Sequence, residues 1–156
     1  MMNVKIIAVG KLKERYWTEA ESEYIKRLTP YAKVEIIELP EEAFQSTDER
    51  EKIQQKEAEK IKKILPQNGL VLSMHEEGKQ MTSRKLAKFL EDNSTRGETI
   101  IFLIGGPLGL HQSLLNFSHK QLSLSELTFP HQMVRTILLE QLYRCVTISK
   151  GKQYHY

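Results

Sequence analysis

Four short apolar runs, separated by stretches of helical period, constrain this chain more than any other feature. They are VKIIAVG (4–10), KVEIIEL (33–39), GLVLSM (69–74) and TIIFLIG (99–105). Each is rich in Val, Ile or Leu, too short for a buried helix and bounded by Gly or Pro, so each reads as a buried strand. Between the first two, ERYWTEAESEYIKRL sets Trp17, Ala20, Tyr24 and Leu28 on one helical face, with Pro30 as the stop. Residues 47–65 read as a charged helix with Ala58, Ile61, Ile64 and Leu65 on one side. Thr82 or Ser83 caps a further helix through Asn93, with Leu86, Phe89 and Leu90 facing inward. EEAFQSTDER (41–50) reads as a surface loop. The alternation predicts an α/β fold, a parallel sheet with helices on both faces. In such sheets ligands sit beyond the carboxyl ends of the strands.

The last third changes character. HQSLLNFSHKQ reads as a short helix, and LSLSELTF as a short strand running into a loop. Pro130 opens a long helix, HQMVRTILLEQLYRCVTISK, with Val134, Ile137, Leu138, Leu142 and Cys145 as its apolar stripe. The 156 residues fit a single domain, 1–156, and 40% apolar content supplies a core that needs no staples. Cys145, the only cysteine, has no partner for an internal disulfide, which favours a reducing compartment. The opening MMNVKIIAVGKLKERYW is too short in its apolar part for a signal sequence or a membrane span, so a cytoplasmic protein without a membrane partner is expected. A net charge of +3 permits a nucleic-acid partner through local patches and does not require one.

The most apolar run ends in Gly105-Gly106-Pro107, with Gly109 close behind. A tight turn explains such glycines, and so does close approach of a ligand to bare backbone. The spacing is neither G-x-G-x-x-G nor a Walker loop, which disfavours a diphosphate ligand. His75, His111 and His119 lack metal-ligand spacing with one another or with Cys145, so no metal is expected. His131 stands in the first turn of the last helix, and Arg135 and Arg144 read by default as charges on its exposed face. The terminal QYHY packs two Tyr and one His into four residues, unusual for a frayed end.

Taken together, AVGKLKERYW, IGGPLGL, LTFPHQMVRTILLEQLYR and the final YHY resemble the bacterial 23S rRNA pseudouridine methyltransferases of the SPOUT class. The resemblance runs over essentially the whole chain. It implies a deep C-terminal trefoil knot, S-adenosyl-L-methionine as cofactor, a homodimer, and 23S rRNA, within the assembled ribosome, as partner. Carried over by motif, the cofactor pocket comprises Met74, Gly105, Gly106 and the segment Leu124, Ser125, Glu126, Leu127, Thr128 and Phe129. His155 is implied as general base with Tyr154 holding the target base, and His131 is a second candidate. Arg135 and Arg144 are implied to meet phosphate or developing negative charge, and Tyr156 to stack on RNA.

Three positions depart from the family pattern. Leu108 stands where a polar residue is common in the glycine loop. Gln153 replaces a Pro and leaves the tail less stiff. Tyr156 replaces a basic residue, removing a phosphate contact and offering a stacking surface. A Rossmann-like nucleotide enzyme and a non-catalytic RNA-associated protein are the alternatives. The first lacks its glycine fingerprint, and the second leaves the glycine loop and Tyr-His tail unexplained.

Overall fold

Five parallel strands in the order β2-β1-β4-β3-β5 make up the sheet in the computed structural model, which describes residues 1–156. Along the chain these are β1 (Met2–Val9), α1 (Arg15–Leu28), β2 (Ala32–Leu39), α2 (Arg50–Ile64), β3 (Leu70–Gln80), α3 (Ser83–Thr95), β4 (Ile100–Ile104), α4 (Gln112–Phe117), β5 (Lys120–Ser123) and α5 (His131–Ser149). The expected α/β alternation is present, with helices on both faces. Alternate β1 and β4 residues feed two cores, as the two-residue period of a strand requires. Val4, Ile6, Ala8, Ile100 and Phe102 pack with α1, α3 and α5, whereas Ile7, Val9, Ile101 and Leu103 pack with α2 and α4.

The elements start and stop for local reasons. Thr82 accepts a hydrogen bond from the Lys85 N–H and caps α3. Ser46 and Glu49 form a capping box on a 3-10 turn (Thr47–Glu49) that leads into α2. The predicted helix at 47–65 is thus a 3-10 turn followed by α-helix. The strand predicted within 122–129 is instead Lys120–Ser123, and the residues after it form an irregular crossing segment.

Two helices differ from their predicted faces. In α1 only Leu28 is fully buried, and Trp17, Ala20 and Tyr24 are half-buried. In α5, Leu138, Leu142 and Cys145 are buried as expected, but so are Leu139 and Arg135. α5 starts beside Gly10, at the carboxyl end of β1. It finishes near Met1 and Met2, which share a cleft of about 230 Å³ with Val146, Ser149 and Lys150. No helix is long and apolar enough to cross a membrane.

Candidate functional site

The strand order has its switch point between β1 and β4. From β1 the chain steps outward to β2, whereas β3 and β5 lie on the far side of β4. At the carboxyl ends of these two neighbours stand Gly10 and Gly105. Beyond Ile104 the chain folds into a small loop closed by an isolated antiparallel bridge between Gly106 and Gly109, with the Gly109 N–H bonded to the Gly106 carbonyl at 3.0 Å. Gly109 has φ of +82°, so the turn itself requires glycine there.

Gly105 is bare for a different reason. A Cβ on it would lie 2.7 Å from the Gly109 carbonyl carbon and 2.9 Å from the Leu110 nitrogen. The backbone that presses on Gly105 is the chain's own. The loop nevertheless leaves unspent donors: the N–H groups of Gly105, Leu108 and Leu110 have no backbone acceptor within the chain. The Leu108 side chain is 5% exposed, so no ligand-facing polar group has been lost at that position.

Helix α2 braces this loop. Arg50 Nη1 and Gln54 Nε2 both donate to the Leu108 carbonyl, at 2.8 and 2.7 Å. One turn on, Glu57 is 4% exposed, and its carboxylate faces Gly106. Burial pushes the Glu57 pKa up, against the opposing pull of the Glu42 N–H that it accepts at 2.9 Å. Sequence reasoning missed these three residues. The signal for Glu57 was present: with Ile53 and Ile61 it forms an i, i+4 row that is buried on both sides of it.

To travel from β5 at the sheet edge to α5 beside β1, residues 124–130 must pass the ends of β3 and β4. The segment is held by short bonds. Ser123 donates to the Ser125 carbonyl, Ser125 Oγ accepts from the Leu127 N–H, and Thr128 donates to Glu76 on β3. Leu124, Ser125 and Phe129 are half-buried, whereas Glu126, Leu127 and Thr128 are exposed. Half-buried Met74 ends the regular pairing of β3 with β5. The expected pocket residues therefore gather at one end of the sheet: Met74 from β3, Gly105 and Gly106 from β4, and Leu124 to Phe129 crossing beyond them.

At the start of α5, the His131 ring lies 4.0 Å from Glu41 and close against Gly10. Burial lowers its pKa, with Glu41 opposing. Arg135, expected on an exposed face, is 2% exposed. Its guanidinium donates to Glu38 at 2.6 Å, to Glu21 at 3.3 Å and to the Gly10 carbonyl at 3.2 Å. Only Nε lacks a partner. Here too a signal was legible, because Arg135 shares a helical face with Leu138, Leu139 and Leu142. Burial pushes the Glu21 carboxyl up, and Arg135 pulls it back.

The tail folds back onto the middle of α5. Tyr154 packs edge-on against Tyr143 with ring centroids 4.7 Å apart, donates to Glu140 at 3.2 Å, and lies under the Arg144 guanidinium at 4.9 Å. Burial and then the Glu140 charge push the Tyr154 phenol up, so it remains a donor. Arg144 binds Glu140 through Nε and Nη2 and donates through Nη1 to His155 Nδ1 at 3.1 Å. Tyr156 is fully exposed. No hydrogen bond or ring contact of the tail reaches residues 105–110 or 124–129 of its own chain. The structure thus forms two clusters, one at the strand ends and one on α5.

A family model described as predicted SPOUT methyltransferase matches residues 2–155. Among solved structures, a methylase family protein from Haemophilus influenzae Rd KW20 is similar at a TM-score of 0.58 and 14% identity, over 99% of this chain and 71% of that one. A methylase family protein from Neisseria gonorrhoeae is similar at 0.55 and 10% identity, over 92% and 82%. At these identities the two structures speak for the fold alone.

Proposed function

The chain belongs to the SPOUT methyltransferase family, and from that membership we propose that it transfers a methyl group from S-adenosyl-L-methionine to ring nitrogen 3 of a pseudouridine in 23S rRNA. The observation that carries the donor site is the set of free N–H groups on Gly105, Leu108 and Leu110. An adenosine offers acceptors for such donors and an apolar ring face for Leu124, Phe129 and Met74. The residues present fit a neutral, aromatic ligand better than a diphosphate, because the one basic side chain hydrogen-bonded to the loop, Arg50, is spent on Leu108. When bound, this donor supplies a methyl group already activated by its sulfonium.

What remains for the protein is orientation and one proton. His155 accepts the imide proton in this reading, Tyr154 positions the base, Arg144 meets negative charge and Tyr156 stacks on neighbouring RNA. A guanidinium can only donate, so the Arg144 contact occupies the one unprotonated nitrogen of a neutral His155. His155 becomes a base only when Nδ1 leaves Arg144. Because the tail does not reach the glycine loop of its own chain, the complete site is built from two copies, the tail of one meeting the loop of the other. Half-buried Met133 and Ile137 on α5 suit the packing such a homodimer needs. His131, whose pKa burial lowers, is the second candidate base. Arg135 enters as a positioning group, since its donors already hold Glu38, Glu21 and Gly10. The trefoil knot belongs to the same proposal and is supported by the crossing of 124–130 over the sheet end.

The test is transfer of labelled methyl groups to bacterial ribosomes, compared between ribosomes with and without the pseudouridines of 23S rRNA. The proposal predicts transfer to assembled particles containing pseudouridine, with the label on ring nitrogen 3. Equal labelling of both ribosome preparations, or label on a ribose, would overturn the target assignment.

A further inference from the structure

The N-terminal half of α1 does not do what its sequence period suggests. Tyr16 is 63% exposed and Trp17 only half-buried, and their rings meet edge-on at 5.1 Å. Neither the Tyr16 hydroxyl nor the Trp17 ring N–H has a hydrogen-bond partner in the chain. Around them the β1–α1 loop carries Lys11 and Lys13, both exposed and without an ion-pair partner, and Arg15, paired only with Glu19 on the helix surface. The cap residue Glu14 makes no side-chain bond, so the Arg15 and Tyr16 N–H groups at the positive end of α1 are also unspent.

We propose that Tyr16 and Trp17, flanked by Lys11, Lys13 and Arg15, form a docking platform for unpaired RNA beside the methylation site. Exposed aromatic rings give bases a surface to stack on, and the lysines with the helix start receive phosphates. The place is set by the sheet: β1 and β4 are hydrogen-bonded neighbours, so the loop after Val9 and the loop after Ile104 emerge side by side at the same end. A strand of RNA that presents a base at the glycine loop lays its flanking nucleotides across this loop. Glu14 and Glu19 border the patch and limit its reach. The chemistry is therefore stacking first and charge second, which fits a chain of net charge only +3. This inference rests on an RNA substrate but not on the identity of the methylated base.

The experiment measures anisotropy of a fluorescein-labelled single-stranded oligouridylate at ~50 mM salt. It compares the full chain with Tyr16→Ala, with Tyr16→Phe and with the Lys11→Ala/Lys13→Ala pair, alongside thermal melting. Tyr16→Ala is expected to weaken binding about 5- to 150-fold, the range of one lost stacking partner, and Tyr16→Phe to restore it. The lysine pair is expected to flatten the salt dependence by a slope of about 1.4, at ~0.7 per lost phosphate contact. Binding unchanged in Tyr16→Ala, or weakened equally in Tyr16→Phe, overturns the platform. So does a Tyr16→Ala chain that changes from dimer to monomer, which would assign the patch to a protein partner. S-adenosyl-L-methionine affinity is measured on the same samples. If the full chain fails to bind the donor while Tyr16→Ala still weakens RNA binding, the methyltransferase reading fails and the platform stands. Donor binding with RNA affinity unaltered by the variants gives the reverse.

Discussion

Replacing Gly105 by alanine tests whether the glycine loop is shaped by its own packing or only by a ligand. The added Cβ would stand 2.7 Å from the Gly109 carbonyl carbon, 2.9 Å from the Leu110 nitrogen and 3.1 Å from the Gly109 oxygen. Comfortable carbon contacts are roughly 3.5–4.0 Å, and all three neighbours are backbone. The loop must therefore move as a unit. It cannot move freely, because Arg50 and Gln54 hold Leu108 and buried Leu110 plugs the core formed with α2 and α4. Overpacking of this kind costs about 1–3 kcal/mol, and the backbone contacts place Gly105→Ala at the upper end, near 3 kcal/mol. At about 2–4 °C per kcal/mol for a chain of this size, the thermal midpoint should fall by about 6–12 °C. Donor affinity should fall with it, because the free N–H groups are displaced. Differential scanning calorimetry with a matched donor titration reads both. A Gly105→Ala protein that melts with the wild type but no longer binds donor would refute the packing argument and return the glycine to the ligand.

Other expectations follow from the same geometry. Arg135→Met leaves Glu38, Glu21 and the Gly10 carbonyl without their shared donor. It should cost about 3–5 kcal/mol, the usual result of breaking a buried ion pair, and adding Glu21→Gln should recover part of the loss in urea melts. Glu21 has its pKa raised in the folded chain, so its contribution favours folding at low pH and is lost as pH rises through the folded value. Glu21→Gln should therefore flatten stability on the alkaline side of the carboxylate range. His131 has the opposite sense. Its pKa is lowered by burial, so its contribution is present above the unfolded value of about 6.5 and is lost as pH falls through the folded one; His131→Gln should remove that acid-side loss from a pH series of melts. The Cys145 thiol, pushed up to about 12 by burial, should resist alkylation at pH 8 until the protein unfolds. His155→Ala should lower methyl transfer about 10²-fold or more while donor affinity stays unchanged, and a parallel fall in both would make the tail structural.

Much of this architecture was legible in the sequence because the strands are short, apolar and bounded, and a strand buried on both faces needs only that pattern. Strand order was not legible. The position of β5 outside β3 depends on where α4 and the crossing segment find room, which no local period encodes. The two charged groups that matter most to the site's framework, Glu57 and Arg135, were written into apolar helical rows. Charge argued for exposure, yet each sits inside because a partner waits there: the Glu42 N–H for one, Glu38 and Gly10 for the other. The first turns of α1 misled in the opposite direction: Leu28 is buried and Tyr24 packs against the core, but Trp17 stays outside it, because helical spacing alone cannot say how far along a helix the core reaches. The glycine loop gave its place correctly and its cause incompletely, because two backbone segments pressing on each other look the same in sequence as backbone pressed by a ligand.

The central claim is that the loops at the carboxyl ends of β3, β4 and β5 bind a methyl donor. Calorimetric titration of the purified chain with S-adenosyl-L-methionine, with NAD as the control, tests it most directly. The account predicts saturable binding of one donor per subunit and no heat of binding from NAD. A folded protein that takes up no donor, or that binds NAD equally well, would contradict it.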